Sequence, residues 1–523
     1  MPPATDLWRT PFGAVPLQPG LVRFRVWAPN AASVAVRLRD ALHELEHVGE
    51  GVHEAELPAQ PGDDYAYVLD GRDEWPDPCS RHQPEGIRGP SRVVDPAAFV
   101  WSDADWRPPA LADLVIYELH VGTFSEEGTF EGAIPYLRDL AALGVTAVEV
   151  MPVAEFPGSR GWGYDGVHAY APHHAYGGPA GLVRFVDAAH AAGLGVLLDV
   201  VYNHVGPGSE RIAAFGPYLT DRHHTFWGDA IDYAQPAVRE WAIQNACMWI
   251  RDYHLDGLRL DATHAVFDDS ERHVLAELAD RVREHNPAAL VTSEMETGDL
   301  RPIEQWGHDA QWADEFHHEL HVLLTGEQEG YYADYGSVAG LARQYERTPP
   351  ERLIVCTQNH DQVGNRAVGD RPDPKHGPLA AICLLFAPQT PLLFMGQEYG
   401  EPRPFQFFTD HDDPEIAEAT RRGRREEFAD FAAFSGEGVP DPQAEETFVA
   451  SKLSREGSAE FRELYRELLR LHRGLPKEAE AEYSEEERWL RVRRGPVELL
   501  ANFSDEVRTI DGTEVAPWSA LLR

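Results

Sequence analysis

The first hundred residues alternate between apolar and polar positions with a period of two, which is the pattern of β-strands. Residues 21–27 alternate throughout, and residues 34–38 and 65–69 repeat the pattern. Asp70-Gly71, directly after the last of these runs, is a typical hairpin turn. Short alternating strands joined by tight turns predict a small β-sandwich over residues 1–100.

From about residue 112 the pattern changes, and short apolar runs alternate with segments of helical period. Segments such as 133–143 and 181–192 read as helices, and each is followed by a glycine that ends a helix. Eight strands alternating with helices predict a (β/α)8 barrel over residues 110–446. A doubly wound sheet is the alternative, which is disfavoured because no glycine-rich phosphate loop follows any strand. The eight predicted strands are 115–119, 147–152, 196–201, 257–261, 289–293, 310–314, 353–357 and 391–394.

The C-terminal part begins with a helical pattern at 459–471 and then alternates over 489–492 and 497–503. We therefore expect a small C-terminal β-domain over residues 447–523, packed on the barrel. The acidic run 478–487 is expected to be a solvated surface.

Composition narrows the possible partners. The chain has 523 residues, of which 43% are hydrophobic, so more than one globular core is expected. It carries 87 acidic against 46 basic residues, which argues against a nucleic acid or an anionic membrane as partner. The four cysteines have no metal-binding spacing, and neither a signal-like N-terminus nor an apolar run of about 18 residues occurs. These features predict reduced thiols and a cytoplasmic location.

Active sites of (β/α)8 barrels lie at the C-terminal ends of the strands, and polar residues collect there in this chain. The polar types are acids, histidines, asparagines and an arginine, without a serine triad, a cysteine dyad or a metal-binding cluster. Four strands are followed by such residues: Asp199, Asn203 and His204 after the third, Arg259 and Asp261 after the fourth, Glu294 and Glu296 after the fifth, and Asn359, His360 and Asp361 after the seventh.

Arg259 and Asp261 are the most informative pair, because residues two apart on a strand point to the same face. A permanent guanidinium charge beside a carboxylate holds that carboxylate ionised. An ionised, fixed carboxylate is what a covalent glycosidase uses as its nucleophile. Taken alone, the pair is equally consistent with a buried structural ion pair, and the acids at neighbouring strand ends favour the catalytic interpretation.

Cleavage of a glycosidic bond also needs a carboxylic acid that protonates the leaving oxygen. Glu294 fits this role, because a carboxyl at an apolar strand end can stay protonated near neutral pH. Glu296, two residues later, is the alternative acid. Asp361 would be a third carboxylate that binds sugar hydroxyls, and His204 and His360 could donate hydrogen bonds to the same sugar.

Aromatic side chains in two segments offer flat apolar faces on which a pyranose ring could stack. Trp162 and Tyr164 lie in a glycine-rich stretch that favours an exposed loop, and Phe405, Phe407 and Phe408 form the second segment. We expect Trp162, Tyr164 and Phe408 to contact the sugar, with core packing as the alternative for each ring.

The strand ends resemble the four conserved regions of the α-amylase superfamily of glycoside hydrolases (family 13). Residues 199–204 are similar to its first region, 257–261 to its second, Glu294 to its third and 359–361 to its fourth. The third region departs from the family, since it reads Thr-Ser-Glu-Met-Glu where Ala-Glu-Ser is common. The N-terminal sandwich resembles the carbohydrate-binding module that precedes the barrel in branching, debranching and trehalose-releasing members.

This resemblance implies a role for each matched residue. Asp261 would be the nucleophile, Glu294 the acid/base and Asp361 the stabiliser of the transition state. The residues implied to bind the sugar at the cleavage point are Arg259, His204, His360 and Tyr164, together with Asp199 and Asn203.

Further segments resemble one family within the superfamily, the maltooligosyltrehalose trehalohydrolases. That family resemblance implies retaining hydrolysis of the α-1,4-glucosidic bond next to the terminal trehalose unit of maltooligosyltrehalose, which releases trehalose during its biosynthesis from α-glucan. It also implies functional pairing with a maltooligosyltrehalose synthase. The segments are 75–78, 117–124, 311–318, 407–411 and 423–428.

Two other functions stay open at this point. An α-glucan branching or debranching enzyme is the alternative, which the last three of those segments disfavour. A non-catalytic glucan-binding protein is less consistent, because all three carboxylate positions are filled. We expect no cofactor and no metal ion, since the short loop 203–207 lacks the spaced carboxylates that bind Ca²⁺.

Overall fold

Eight short parallel strands close into a barrel in the order of the sequence. Every apolar run that was expected to be a barrel strand forms one, so the predicted (β/α)8 fold is confirmed. The computed structural model describes residues 4–225, 227–428 and 438–523. The barrel strands are Ile116–Leu119, Ala147–Val150, Gly195–Val200, Gly257–Leu260, Leu290–Ser293, Ala310–Trp312, Leu353–Cys356 and Thr390–Phe394.

Helices on the outside of the barrel cover its strands. The segment predicted as one helix over 133–143 is instead divided by the 3₁₀ turn Ile134–Tyr136, because Pro135 has no backbone N–H to donate. Gly144, with φ of 121°, ends the second part as expected. The principal helices are Phe130–Ala133, Leu137–Leu143, Gly178–Ala191, Pro236–Asp252, Val274–His285, Glu315–Thr325, Val338–Tyr345 and Gly377–Phe386.

The inside of the barrel has an apolar lower layer and a polar upper layer. Ile116, Ala147 and Leu197 belong to one small buried cluster at the lower level. Side chains point inward at every second residue of a strand, so the next inward positions are two residues further along. Those positions include Glu118, Glu149, Asp199 and Arg259, all of them buried. Charged side chains therefore occupy the barrel directly below the strand ends.

The N-terminal part forms the expected β-sandwich of two antiparallel sheets. It contacts the barrel helix Pro236–Asp252, where Trp241 donates to the carbonyl of Pro78 and Arg81 pairs with Asp252 in a buried ion pair. One sheet contains Gly13–Gln18, Leu21–Trp27, Val52–Leu57 and Glu46–Gly49. The other contains Ala41–Glu44, Val34–Leu38, Asp64–Leu69 and Asp73–Trp75, with Ser91–Arg92 paired to its third strand.

The C-terminal part consists of the helix Ala459–Gly474 followed by antiparallel strands. Arg494 is fully buried and donates from Nη1 to the carbonyls of Phe386 and Ala387, at 3.0 and 2.9 Å, which fixes this part to the barrel. Every helix within the described ranges is too short or too polar to cross a bilayer. The strands are Glu480–Ser484, Trp489–Arg494, Val497–Asn502 and Ser519–Leu522, with a separate hairpin at Arg508–Ile510 and Thr513–Val515.

Candidate active site

Arg259 is fully buried and binds three carboxylates at the strand ends. Its Nη1 donates to Asp199 Oδ2 at 2.7 Å and to Asp261 Oδ1 at 2.9 Å, and its Nη2 donates to Glu294 Oε2 at 2.7 Å. The guanidinium also lies over the ring of Trp312, with 4.1 Å between its Cζ and the ring centroid. Burial lowers the pKa of Arg259, but Asp199 and Glu294 raise it further, so the side chain stays charged.

Asp261 is held through both carboxylate oxygens. Arg259 donates to Oδ1, and Asn203 Nδ2 donates to Oδ2 at 2.8 Å and to the Asp261 carbonyl at 3.0 Å. Asn203 therefore orients the carboxylate from behind. The following residue, Ala262, has a left-handed φ of 39°, and this turn aims its N–H at Glu294 Oε2, 3.0 Å away.

Glu294 faces the cleft with part of its carboxyl. Its side chain is 23% exposed, and its Oε2 accepts from both Arg259 and the Ala262 N–H. Met295 is buried and Glu296 is exposed, and neither bonds to Arg259. Of the two candidate acids, only Glu294 lies in the carboxylate cluster.

His360 and Asp361 come from the short helix His360–Gly364 after the seventh strand. His360 Nδ1 lies 2.6 Å from Glu118 Oε1, and its Nε2 lies 3.3 Å from Asp361 Oδ2. Burial lowers the pKa of His360, but the two acids Asp361 and Glu118 raise it to about 10, so the ring carries a proton at neutral pH. Asp361 is one-third exposed, and Asn365 donates to its Oδ1 at 2.9 Å.

Tyr164 joins the two sides of the cluster. Its hydroxyl donates to Asp199 Oδ2 at 2.6 Å and accepts from His360 Nε2 at 2.7 Å. Burial raises the pKa of Asp199 to about 7 even though Arg259 opposes the shift. His204 is bonded to the Tyr164 carbonyl through Nε2, at 2.8 Å, and to Asn203 through Nδ1. The predicted donor His204 thus has both ring nitrogens engaged inside the protein.

Two of the predicted aromatic contacts are mostly buried. Trp162 is 5% exposed, stacks on Phe405 with 5.2 Å between centroids and donates to the Gln406 carbonyl. Phe408 is 0% exposed and packs edge-on against His120. The structure therefore places Phe408 in the core below the site, where its ring has no free face for a sugar. The sequence does not predict this burial, because phenylalanine rings occur both in hydrophobic cores and in sugar-binding sites.

Glu118 and Glu149 belong to the site although sequence reasoning did not select them. Glu118 binds both the side chain and the backbone N–H of His360, the latter at 2.8 Å. Glu149 is 1% exposed, and neither of its oxygens has a partner among the described residues. A charged residue within an otherwise apolar strand is the signal that could have identified both.

Glu155, His173 and His174 form the metal-compatible group found in the described ranges, with ligand atoms within 4.8 Å of one another. The Ala175 N–H donates to His173 Nδ1 at 3.1 Å, and burial lowers the pKa of His173. The proton of this neutral ring is therefore on Nε2, the atom that would have to bind the metal. These contacts fit a hydrogen-bonded turn better than a metal site.

A cavity of about 490 Å³ lies away from the carboxylate cluster, beyond the seventh and eighth strands. Its walls are mostly apolar and include Leu320, Pro378 and Phe461. Because this cavity lacks the strand-end acids, we assign the chemistry instead to the strand ends above Arg259, where the side chains of Glu294 and Asp361 are partly exposed.

Comparisons with known proteins agree with this geometry. Residues 11–96 match the family carbohydrate-binding module 48 (isoamylase N-terminal domain), and residues 94–217 match the alpha amylase catalytic domain. A solved structure from Salmonella typhimurium, described as a candidate alpha amylase, superposes with a TM-score of 0.92 at 37% identity, covering 98% of this chain and 99% of the other. A pullulanase from Anoxybacillus sp. LM18-11 in complex with maltotetraose, 17% identical with a TM-score of 0.74 and 99% and 88% of the two chains covered, shares the fold.

Curated relatives are similar over most of their length. A malto-oligosyltrehalose trehalohydrolase of Deinococcus radiodurans is 47% identical over 505 residues, covering 90% of this chain and 84% of the relative. One from Rhizobium sp. is 41% identical and covers 97% and 94%, and one from Saccharolobus solfataricus is 40% identical and covers 86% and 85%. The chain belongs to the malto-oligosyltrehalose trehalohydrolase family within the α-amylase superfamily.

Proposed function

We propose that this chain is a retaining glycoside hydrolase that cleaves the α-1,4 bond next to the terminal trehalose unit of maltooligosyltrehalose and releases trehalose. The observation that carries the proposal is the buried Arg259, which binds Asp261 and Glu294 through its two terminal nitrogens at 2.9 and 2.7 Å. Two carboxyls on one guanidinium are close neighbours, as retaining enzymes require with their spacing of about 5–5.5 Å. The names of relatives that are 40–47% identical support the choice of substrate.

In this mechanism Asp261 attacks the anomeric carbon while Glu294 gives its proton to the oxygen of the leaving trehalose unit. The bond between that oxygen and the anomeric carbon breaks, and a covalent glycosyl ester forms on Asp261. Glu294, now ionised, takes a proton from water, which attacks the same carbon and restores the carboxylate. The net α configuration is retained.

The remaining residues bind and orient the sugar. Asp361 would accept hydrogen bonds from hydroxyls of the sugar whose bond breaks, and the protonated His360, whose Nε2 lies 3.3 Å from Asp361 Oδ2, would orient that carboxylate. Tyr164 keeps His360 and Asp199 in place on the opposite wall. Trp162 supports this wall from below by its edge contact with His360, 5.6 Å between centroids.

The wider setting is part of the same proposal. A maltooligosyltrehalose synthase would supply the substrate from α-glucan, and the N-terminal module would hold the glucan chain. The predicted cytoplasmic location stays a prediction.

Exchange of the carboxyls tests the assigned roles. We expect Asp261→Asn and Glu294→Gln each to lower kcat by about 10³-fold or more, because each removes a group that acts in the transition state. Glu296→Gln is the matched control, since Glu296 is exposed outside the cluster, and it should keep wild-type activity. Unchanged melting temperatures would exclude unfolding as the cause. An inactive Glu296→Gln with an active Glu294→Gln would refute the acid assignment.

A further inference from the structure

The sixth barrel strand contributes an acid to the cleft that the mechanism above does not use. This strand ends at Trp312, whose ring supports Arg259, and the N–H of Ala313 extends the pairing to the Ile354 carbonyl at 2.8 Å. Asp314 follows directly, at the first turn of the helix Glu315–Thr325. It therefore projects from the same ring of strand ends as Glu294 on the fifth strand and Asp361 on the seventh.

The Asp314 carboxyl has no partner within the described part of the chain. It is half-buried, and it does not cap the helix that it precedes. The neighbouring acids are all engaged: Glu315 pairs with Arg347 at 2.7 Å, and Glu319 accepts from the Gly336 N–H at 2.8 Å. A half-buried carboxyl without a protein partner is unusual, and in a cleft it is available to a ligand.

The charged groups around Asp314 define what it can bind. Burial raises its pKa to about 7, and the nearby acids Glu294, Asp361 and Glu315 add to the shift while Arg259 opposes it. A carboxyl that is partly protonated at neutral pH can both donate and accept hydrogen bonds, as sugar hydroxyls require. An anionic ligand would be repelled by the three neighbouring acids, so a neutral polyol is the compatible partner.

The position of Asp314 identifies which sugar it would meet. In the proposed mechanism the attacked ring would lie beside the hydrogen-bonded group of Tyr164, Asp199 and His360, which come from the loop after the second strand, the third strand and the helix after the seventh strand. The sixth strand pairs with the fifth, whose Glu294 must lie beside the leaving oxygen, and with the seventh, which is followed by Asp361. Of these two acids Glu294 acts more strongly on the Asp314 carboxyl, so we place Asp314 on the side of the leaving sugar.

We propose that Asp314 is a specificity-determining residue that hydrogen-bonds hydroxyls of the leaving trehalose unit. This inference rests on the proposed function, since a different leaving group would present different hydroxyls. Asp314 acts on substrate binding at the leaving side and leaves attack by Asp261 unaffected.

The test compares two substrates that share the attacked sugar and differ in the leaving group. The leaving group of maltotriosyltrehalose is a disaccharide, whereas the leaving group of α-maltosyl fluoride is a fluoride ion, which has no hydroxyls. We expect Asp314→Ala to lower kcat/KM for maltotriosyltrehalose by about 10- to 100-fold, the effect of one or two lost hydrogen bonds. Hydrolysis of the fluoride should change by less than about twofold, because no contact is lost there.

Two variants keep this test decisive. The side chain of Asp314→Asn retains a donor group and an acceptor, so this variant should keep most of the wild-type kcat/KM. If the alanine variant folds poorly, the asparagine variant can be compared on the same two substrates. Asp334→Asn changes an exposed aspartate in the loop after the same helix and should match wild type. An equal fall on both substrates, or no fall on either, would overturn the proposal. A wild-type enzyme that releases no trehalose would refute the proposed function instead, which is a separate observation.

Discussion

At the level of single residues, the guanidinium of Arg259 holds the carboxylates of the site in place. The spacing of Arg259 and Asp261 predicted that they meet, and they do, at 2.9 Å. The same guanidinium also binds Asp199 and Glu294, which the sequence could not reveal because both come from other strands. The periodicity of one strand predicts contacts along that strand, whereas contacts across the barrel depend on the register between strands.

Glu149 gives a prediction that depends on pH. Burial raises its pKa well above the ordinary 4.5, with Glu118 adding to the shift and Arg259 opposing it. The folded protein therefore holds a proton that the unfolded chain releases, so the contribution of Glu149 to stability is complete below about pH 4.5 and is lost progressively as the pH rises from there towards the raised pKa. The amide of Glu149→Gln does not titrate, so it stays neutral at every pH.

We therefore expect Glu149→Gln to gain in melting temperature over wild type as the pH is raised from 5 to 8. Thermal unfolding followed by circular dichroism at both pH values measures the difference. Glu486→Gln, at an exposed position, is the control and should show no such trend. A difference between Glu149→Gln and wild type that is the same at pH 5 and pH 8 would contradict the assignment of a neutral Glu149.

At the level of elements, two of the segments that single out this family, 407–411 and 423–428, hold loops around the site together. In the segment 407–411, Asp410 Oδ2 accepts from the Ser159 N–H at 2.8 Å, and its Oδ1 bonds Arg160 Nη2 at 2.8 Å. Gly158 has a φ of 76°, and a Cβ there would lie 2.1 Å from the Asp410 carbonyl oxygen. The loop after the eighth strand thus holds the loop that carries Tyr164.

The segment 423–428 acts in a similar way on the helix of Asp361. Arg424 is buried and donates from Nη2 to the carbonyls of Gly364 and Arg366, at 2.8 and 3.0 Å. These contacts cap the C-terminal end of the helix His360–Gly364. The resemblance that implies the substrate rests partly on these two segments, and their observed contacts are with other loops of the protein, because the fold brings distant loops together.

Asp410→Ala should therefore impair catalysis more than stability. Only bonds to a partly exposed loop are lost, about 1 kcal/mol, so the melting temperature should fall by a few degrees at most. The displaced Tyr164 loop should lower kcat/KM by about tenfold, because small shifts of a binding wall are costly to catalysis. Asp412→Ala, which breaks an ion pair with Arg88 outside this loop, is the control. Wild-type kcat/KM in Asp410→Ala would contradict the positioning role.

At the level of the whole molecule, the hydrophobic pattern is sufficient to predict the architecture. Eight apolar runs predicted eight barrel strands, and alternation predicted the sheets at both ends. The domain boundaries predicted at residues 100, 110 and 446 stay predictions. The contacts that join the parts could not be predicted, because Arg81 and Arg494 are buried by partners more than 100 residues away in the sequence.

The central claim is that the cleft releases trehalose and does not simply shorten glucan chains. The most direct measurement is chromatography of the products formed from maltotriosyltrehalose and from maltopentaose, two substrates of equal length, under identical conditions. We expect trehalose and maltotriose to appear from the first substrate at a rate well above any cleavage of the second. Equal or faster cleavage of maltopentaose, or products from maltotriosyltrehalose without free trehalose, would contradict it.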